Sequence, residues 1–129
     1  MELEGLLPET FGITWDEIAS GTAAGRFTAQ RKHMAPNAFL HAASVIALAD
    51  SCAGFGCMAS LPEGAERFTT IELKSNFFSS AREGEVVACR ASLKHGGRMT
   101  QVWDAEVVNE TTGKAMASFR CTQMILYPR

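Results

Sequence analysis

Asp50 is a lone carboxylate inside a long apolar segment. It lies in the run Ala47-Leu48-Ala49-Asp50-Ser51-Cys52-Ala53, and residues 38–61 contain no lysine, arginine or glutamate. Burial without a partner disfavours the charged form of a carboxyl group and raises its pKa. A buried Asp50 would therefore suit a general base or a nucleophile near neutral pH. The structural alternative is a carboxylate that caps a neighbouring backbone or pairs with an arginine.

His41 stands where a helix formed by this segment would begin. The free backbone N–H groups at a helix start, with the positive end of the helix dipole, favour developing negative charge. The N–H groups of Ala42 and Ala43 are therefore candidates for an oxyanion hole. Most helix starts and most single histidines have only structural roles. An oxyanion hole here would therefore also require a catalytic group, such as Asp50, facing these N–H groups.

The spacing between the two candidates has a geometric consequence. Ala42 and Asp50 are eight residues apart, which is about 12 Å along one helix axis. A single reacting carbonyl needs both groups within about 3–3.5 Å. Two antiparallel copies of the helix, side by side across a two-fold axis, would meet this requirement. We therefore expect a site that belongs to a homodimer and occurs twice.

The elements that position these residues follow from periodicity and breakers. The apolar segment predicts a helix over residues 41–60, ended by Pro62-Glu63-Gly64. Before it we expect a short helical turn at 8–11, strands broken by glycines over 14–30, and a loop over 33–40. After it, alternation predicts four long strands in hairpin succession, with breakers at 82–84, 95–97 and 109–113. In the first of these, one face would carry Phe68, Thr70, Glu72, Lys74 and Asn76.

These elements predict an α+β fold. One central helix, apolar on every side, would be wrapped by a strongly curved antiparallel sheet. The chain has 129 residues, of which 47% are hydrophobic and 20% charged. These proportions exclude a disordered chain, and the length favours one domain over residues 1–129.

Composition and terminal sequence exclude several classes of protein. A net charge of −2 without a basic run argues against nucleic-acid binding. Asp50 near the middle of the apolar segment argues against a membrane span. Met1 to Glu4 does not resemble a secretory signal, so we expect a cytoplasmic protein with reduced cysteines. Cys52 and Cys57, with the histidines, fit no zinc template, and we expect no metal.

The segment Leu40-His41-Ala42-Ala43-Ser44-Val45-Ile46-Ala47-Leu48-Ala49-Asp50 resembles a known pattern. A histidine, two small residues, an apolar stretch and a carboxylate nine positions after the histidine are typical of hot-dog fold acyl-CoA thioesterases. The branch it resembles acts on phenylacetyl-CoA and 4-hydroxybenzoyl-CoA. The similarity continues through residues 70–78, the Gly84 turn, Gly97-Arg98 and the hairpin around Gly113.

The resemblance implies a helix wrapped by a curved sheet, and two protomers that form a homodimer and often a homotetramer. Asp50 would be the catalytic carboxylate, and the Ala42 N–H would polarise the thioester carbonyl from the partner chain. His41 and Asn37 would shape the loop beside it, and Ser51 would help to position water. The family requires no metal and no cofactor beyond the coenzyme A of its substrate.

The resemblance also places the substrate. Coenzyme A would lie along the protomer surface, with Arg82, Gly97 and Arg98 as contacts expected from their location. Ala43 would belong to the substrate-binding loop.

Four aromatic residues are expected in the core, where one or two would line an acyl pocket: Phe55, Phe77, Phe78 and Trp103.

Ala38, Ala42 and Ala43 replace glycines that relatives usually carry. The substitution keeps the backbone N–H, but the methyl group narrows the approach to the backbone. Any of these positions that requires a positive φ would be strained.

Two alternatives to hydrolysis of an acyl-CoA remain open at the level of the sequence. The alanine replacements motivate non-catalytic binding or sensing of acyl-CoA on the same fold, which tight binding without turnover would reveal. A hydratase or dehydratase of enoyl-CoA would also use a histidine and a carboxylate, but the pattern from His33 to His41 does not match its loop.

Overall fold

A long helix lies across one face of a six-stranded antiparallel sheet. The computed structural model describes residues 3–129. The helices and strands in chain order are α1 (Leu7–Phe11), β1 (Thr14–Ala19), β2 (Thr22–Thr28), a 3-10 turn (Arg31–His33), α2 (Ala42–Ala59), β3 (Arg67–Phe77), β4 (Val86–Gly96), β5 (Thr100–Asn109) and β6 (Lys114–Leu126). The predicted α+β class and curved sheet around a central helix are confirmed.

The order of strands differs from the predicted hairpin succession. The sheet runs β1-β2-β4-β5-β6-β3, so β3 pairs with the last strand and forms one edge. Of the four strands after α2, β4, β5 and β6 pair in hairpin succession and β3 does not. Residues 78–85 connect β3 to β4, which lies beyond β6 and β5 in the order of the sheet. The prediction of a β3–β4 hairpin was wrong because a breaker at 82–84 marks a connection but does not show which strand pairs with which.

Helix α2 is buried along one face only. The residues packed against the sheet recur at helical spacing: Ser44, Val45, Leu48, Ala49, Cys52, Ala53, Gly56 and Cys57. Gly56 allows close approach to the sheet, because a Cβ there would lie 2.5 Å from the ring of the fully buried Trp103. By length and composition α2 could cross a membrane. The apolar residues on its sheet-facing side belong to the core, whereas Met58 on the other side is 39% exposed.

A β-bulge in β3 interrupts the predicted alternation. Thr70 pairs with Gln123, and Glu72 pairs with the next residue of β6, Thr122. Ile71 is therefore an extra residue of β3 that has no partner in the ladder. Phe68 and Thr70 face the helix, as do Leu73, Ser75 and Phe77 after the bulge, since these residues pair with inward-facing residues of β6. The prediction that Glu72, Lys74 and Asn76 share the face of Thr70 was therefore wrong.

The inward face of β3 is only partly covered by its own chain. Trp103 is in the core as predicted, but Leu73 is 40% and Phe77 44% exposed, and the adjoining Phe78 is 61% exposed. The expectation that Phe77 and Phe78 are core residues was wrong for the single chain. The reason is that α2 lies over the middle of the sheet, and β3 extends beyond it at the edge.

Candidate active site

The loop before α2 is a tight turn shaped by Asn37. Its Oδ1 accepts a hydrogen bond from the Phe39 N–H at 3.1 Å, and the Ala38 N–H donates to the Ala35 carbonyl at 3.0 Å. Ala38 has φ +70°, and it is the one non-glycine residue within residues 3–129 with a positive φ. The expected strain therefore applies to Ala38 alone. Ala42 and Ala43 are the first residues of the helix.

His41 is the N-cap of α2. Its Nδ1 accepts a hydrogen bond from the Ala43 N–H at 3.0 Å, so the neutral imidazole carries its proton on Nε2. The Ala43 N–H is therefore already hydrogen-bonded within the chain, so of the two predicted oxyanion donors it is the less available to a substrate. The N–H of Ala42 has no acceptor among residues 3–129, and the residue is exposed. Ala42 alone offers a free donor at the helix start.

Buried hydrogen bonds fix the start of α2 to the loop before it. The Ser44 Oγ donates to the His33 carbonyl at 2.7 Å, and the His41 N–H donates to the same carbonyl at 3.0 Å. The His33 ring lies between Phe11 and Phe27, with its Nε2 2.8 Å from the Phe11 carbonyl. Sequence reasoning missed this anchor, although Ser44 in the first turn of an apolar helix was a signal.

Asp50 lies half-buried on the partly open face of α2, at a cleft of about 280 Å³. The cleft is mostly apolar, and the residues that line it with Asp50 are Pro8, Ser51, Gly54, Phe55, Met58 and Phe68. Burial raises the pKa of Asp50, and the nearby Thr70 hydroxyl opposes that rise. Its Oδ1 is buried and has no hydrogen-bond partner within residues 3–129. A carboxylate held this way can take a proton or attack a carbonyl.

Polar side chains from the sheet lie beneath Asp50. The Thr70 hydroxyl is 2.7 Å from Oε1 of Gln123, a fully buried residue directly opposite it on β6. Nε2 of Gln123 is 3.5 Å from Sγ of Cys121. Sequence reasoning missed Thr70 and Gln123 as site residues, because a threonine and a glutamine in alternating strands carry no signal of their own.

One chain does not bring Ala42 and Asp50 together. Both belong to the same uninterrupted helix, so the separation of about 12 Å along its axis holds. Ser51 lies beside Asp50 in the cleft, whereas His41 and Asn37 lie with Ala42 at the far end.

The basic residues expected at coenzyme A lie at opposite ends of α2. Arg82 stacks on the Phe39 ring at 5.5 Å and, with Arg31, lines a groove of about 640 Å³ beside Ala38. Gly97 and Arg98 lie near Ser60, where the helix ends. These residues do not form one site within a single chain.

The thiols form no metal site within residues 3–129, where no group of three or more histidine, cysteine or acidic side chains could hold an ion. The cysteines are free and buried. Burial raises the pKa of Cys57 to about 11 and that of Cys121 to about 12, so both are neutral thiols at physiological pH.

Comparisons with known proteins agree on one family. The family model described as "Thioesterase superfamily" matches residues 37–116. The 1,4-dihydroxy-2-naphthoyl-CoA hydrolase of Listeria monocytogenes is 31% identical over 116 residues, covering 90% of this chain and 92% of that protein.

Solved structures share the fold. A mutant thioesterase from Pseudomonas aeruginosa has a TM-score of 0.89 at 20% identity, covering 98% of this chain and 89% of that one. A Streptococcus mutans protein solved with acetyl CoA has a TM-score of 0.82 at 19% identity, covering 91% and 90% of the two chains.

Proposed function

Because the chain belongs to the thioesterase superfamily and has its hot-dog fold, we propose that it hydrolyses an acyl-CoA at a site built by two copies. The chain is a thioester hydrolase. The products are a carboxylic acid and free coenzyme A. The observation that carries the proposal is Asp50, whose half-buried carboxylate faces an apolar cleft with one oxygen unpartnered within residues 3–129.

Each site takes its carboxylate from one chain and its oxyanion donor from the other. Asp50 of one protomer would face the partner's Ala42, whose free N–H would polarise the thioester carbonyl. The His41 side chain accepts the hydrogen bond of the Ala43 N–H, so the N–H of Ala42 is the one left free at the start of the helix. Two antiparallel α2 helices bring these groups together twice.

The uncovered surfaces of the single chain support this pairing. Strand β3 is a sheet edge of 11 residues with one side of its backbone unpaired. The inward-facing Leu73 and Phe77 are exposed beside it. A second copy paired along this edge would extend the sheet and cover these side chains, together with the open face of α2.

The cleft beside Asp50 would hold the acyl group. Phe55, Met58 and Phe68 give it apolar walls, and Ser51 adds a hydroxyl close to the carboxylate that would position water. The Listeria relative is named for an aromatic acyl-CoA, and the aromatic walls here suit the same class of substrate.

Coenzyme A would leave the cleft along the protein surface. The Streptococcus mutans protein of the same fold was solved with acetyl CoA. Arg82, with Arg31 in the groove beside Ala38, lies near the oxyanion end and would receive phosphate groups. Gly97 and Arg98 lie at the other end of α2, and we retain them as contacts for coenzyme A bound across the two copies. The proposal includes a homodimer, its association to a homotetramer and a cytoplasmic location.

A panel of thioesters from acetyl-CoA to aryl-CoA, followed by release of free thiol, tests the activity. We expect turnover that is greatest with aromatic acyl groups. Asp50→Ala and Asp50→Asn should each lower kcat by at least about 10³-fold, because the reacting carboxylate is lost. Near wild-type rates in both variants would refute the site, and tight binding of every thioester without turnover would favour a sensor.

Mixed dimers test whether the site is shared. Ala42→Pro removes the free N–H yet suits the first position of a helix, particularly after the extended backbone of His41. Asp50→Ala and Ala42→Pro chains should each be inactive alone. Unfolded and reassembled together at 1:1, they should recover about a quarter of wild-type activity, since half of the dimers gain one intact site. No recovery in assembled mixed dimers would contradict a shared site.

Isotope incorporation separates two roles for Asp50. A nucleophilic Asp50 would displace the coenzyme A thiolate and form a mixed anhydride with the acyl group. In a single turnover in ¹⁸O-labelled water, attack of water on the aspartyl carbonyl of that anhydride would leave unlabelled enzyme oxygen in the acid and put label in the Asp50 carboxylate. A general base would give labelled acid and an unlabelled enzyme.

A further inference from the structure

The Thr70 hydroxyl has one proton and faces two acceptors. The hydroxyl donates to Oε1 of Gln123 at 2.7 Å across the β3–β6 ladder. The Asp50 carboxyl on α2 lies close to the same hydroxyl, and its buried Oδ1 has no hydrogen-bond partner within residues 3–129. When Asp50 is ionised, both acceptors compete for this proton. A hydroxyl that turned its proton away from the carboxylate would present only lone pairs to a negative charge, which is unfavourable.

Rotation of the Gln123 amide removes the competition. Exchange of its oxygen and nitrogen leaves the shape of the side chain unchanged, so packing permits both orientations. With Nε2 towards Thr70, the amide donates to the hydroxyl oxygen, and the hydroxyl donates to Asp50. The amide oxygen then faces Cys121, whose sulfur is 3.5 Å from that end of the amide. The Cys121 thiol is protonated, because burial raises its pKa to about 12, and it can donate weakly.

We propose that Thr70, held by Gln123, is a positioning residue for the Asp50 carboxylate, and that the direction of their hydrogen bonds reverses with the charge of Asp50. The ionised carboxylate accepts from Thr70, which accepts from Gln123. The protonated carboxyl donates to Thr70, which donates to Oε1 of Gln123. This inference rests on the proposed function in so far as Asp50 is the catalytic carboxylate.

The fold gives Thr70 this position through the bulge in β3. The register shift follows directly after Thr70, which keeps its side chain on the inward face opposite Gln123. Gln123 is fully buried, so bulk water does not compete for its amide. The polar pair lies in a largely apolar surround, between Phe68 before it on β3 and Cys121 on β6.

Other groups around Asp50 do not supply this effect. No charged side chain within residues 3–129 contributes to the pKa of Asp50. Cys121 faces it from β6 as a neutral thiol, and Pro8 from α1 and Phe68 from β3 do not titrate. In the proposed dimer, the second copy would also bring its His41, the N-cap of its α2, towards the shared site.

Direct titration of Asp50 tests the proposal without depending on turnover. The aspartates of the chain are Asp16, Asp50 and Asp104, so the carboxyl carbons of ¹³C-labelled aspartate can be assigned with Asp50→Asn. Thr70→Val keeps the shape and removes the hydroxyl, and the pKa of Asp50 should rise. Thr70→Ser should restore the wild-type pKa. In the hydrolysis assay, Thr70→Val should lower kcat about tenfold with KM within about twofold, and move the acidic limb of the pH profile upwards.

Gln123→Met is a second test, because the two possible hydrogen-bond arrangements predict opposite changes in the pKa of Asp50. If Gln123 supports Thr70 as proposed, its loss weakens the bond to Asp50, and the pKa of Asp50 rises slightly. If Thr70 always donates to Gln123, the substitution frees its proton for Asp50, and the pKa falls. A fall, or an unchanged Asp50 titration in Thr70→Val, would overturn the proposal. If Thr70→Val shifts the Asp50 titration as expected but Asp50→Asn remains active, the role of Thr70 in positioning the carboxylate stands. Only the proposed function is then overturned.

Discussion

Ala38 holds a backbone conformation that alanine adopts at a cost. At φ +70° its Cβ lies close to the following carbonyl, which disfavours the left-handed region for every residue except glycine. Ala38→Gly should therefore stabilise the folded chain by about 0.5–1 kcal/mol, after allowing for the greater flexibility of glycine in the unfolded chain. Urea unfolding of the variant and of the wild type measures the difference.

Ala35→Gly is the matched control for this substitution. It lies in the same turn, but its φ is not positive. It should lower stability by about 0.4–1 kcal/mol through unfolded-chain entropy alone. Equal effects of the two glycines would show that the turn does not strain Ala38.

Candidate site residues stood out in the sequence where their type was unusual for their surroundings. Asp50 was identified because a carboxylate in an apolar helix is costly to bury, and burial does raise its pKa. Which of the Ala42 and Ala43 N–H groups stays free could not be read from the sequence, because the rotamer of His41 decides it. Thr70 and Gln123 were missed because their role depends on which strands are neighbours, and this information is not local.

At the scale of elements, the buried His33 ties α1, β2 and the loop to the start of α2. Burial is the largest cause that lowers the pKa of His33, so the folded protein favours the neutral ring. The unfolded chain binds a proton more readily, near pH 6.5. The stabilising effect is therefore complete above that pH and is lost as the pH falls through the folded pKa.

We expect the free energy of unfolding to decrease between pH 7.5 and pH 5. In His33→Gln this decrease should be smaller, although the variant is less stable at pH 7.5 because its ring contacts are lost. His95→Gln, at an exposed position, should keep the wild-type pH dependence. Urea unfolding at several pH values measures the slopes, and identical slopes in wild type and His33→Gln would exclude His33 as their source.

The types of the main elements followed from periodicity, while their arrangement did not. The helix expected over residues 41–60 is α2, with His41 and Ser60 as its caps. The partner of β3 depends on a crossover, and the phase of β3 depends on one extra residue at the bulge. Neither the crossover nor the bulge leaves a pattern in the sequence of the strand itself.

At the scale of the whole molecule, the exposed inward face of β3 determines whether the chain can work alone. Leu73→Lys places a charge where a second copy is expected to cover the strand, so it should yield monomers. Activity at low micromolar concentration should fall at least about tenfold, because neither site is complete. Sedimentation measures the mass, and release of thiol measures the activity.

Asn76→Lys tests the opposite face of the same strand. Asn76 is exposed and points away from α2. This variant should remain dimeric and active. A monomeric wild type with full activity, or a dimeric and active Leu73→Lys, would contradict the proposed assembly.

The bulge in β3 also bears on which insertions and deletions the chain can accept. Deletion of Ile71 would give β3 and β6 an uninterrupted ladder, a change that looks favourable for the strand alone. Leu73 and Phe77 would keep their inward-facing partners on β6, and Lys74 would keep its outward-facing one. A regular ladder that retained Ile71 would instead exchange the two faces beyond Thr70. Ile71 is thus a position in β3 where the chain can lose one residue without turning the inward face of the strand outward.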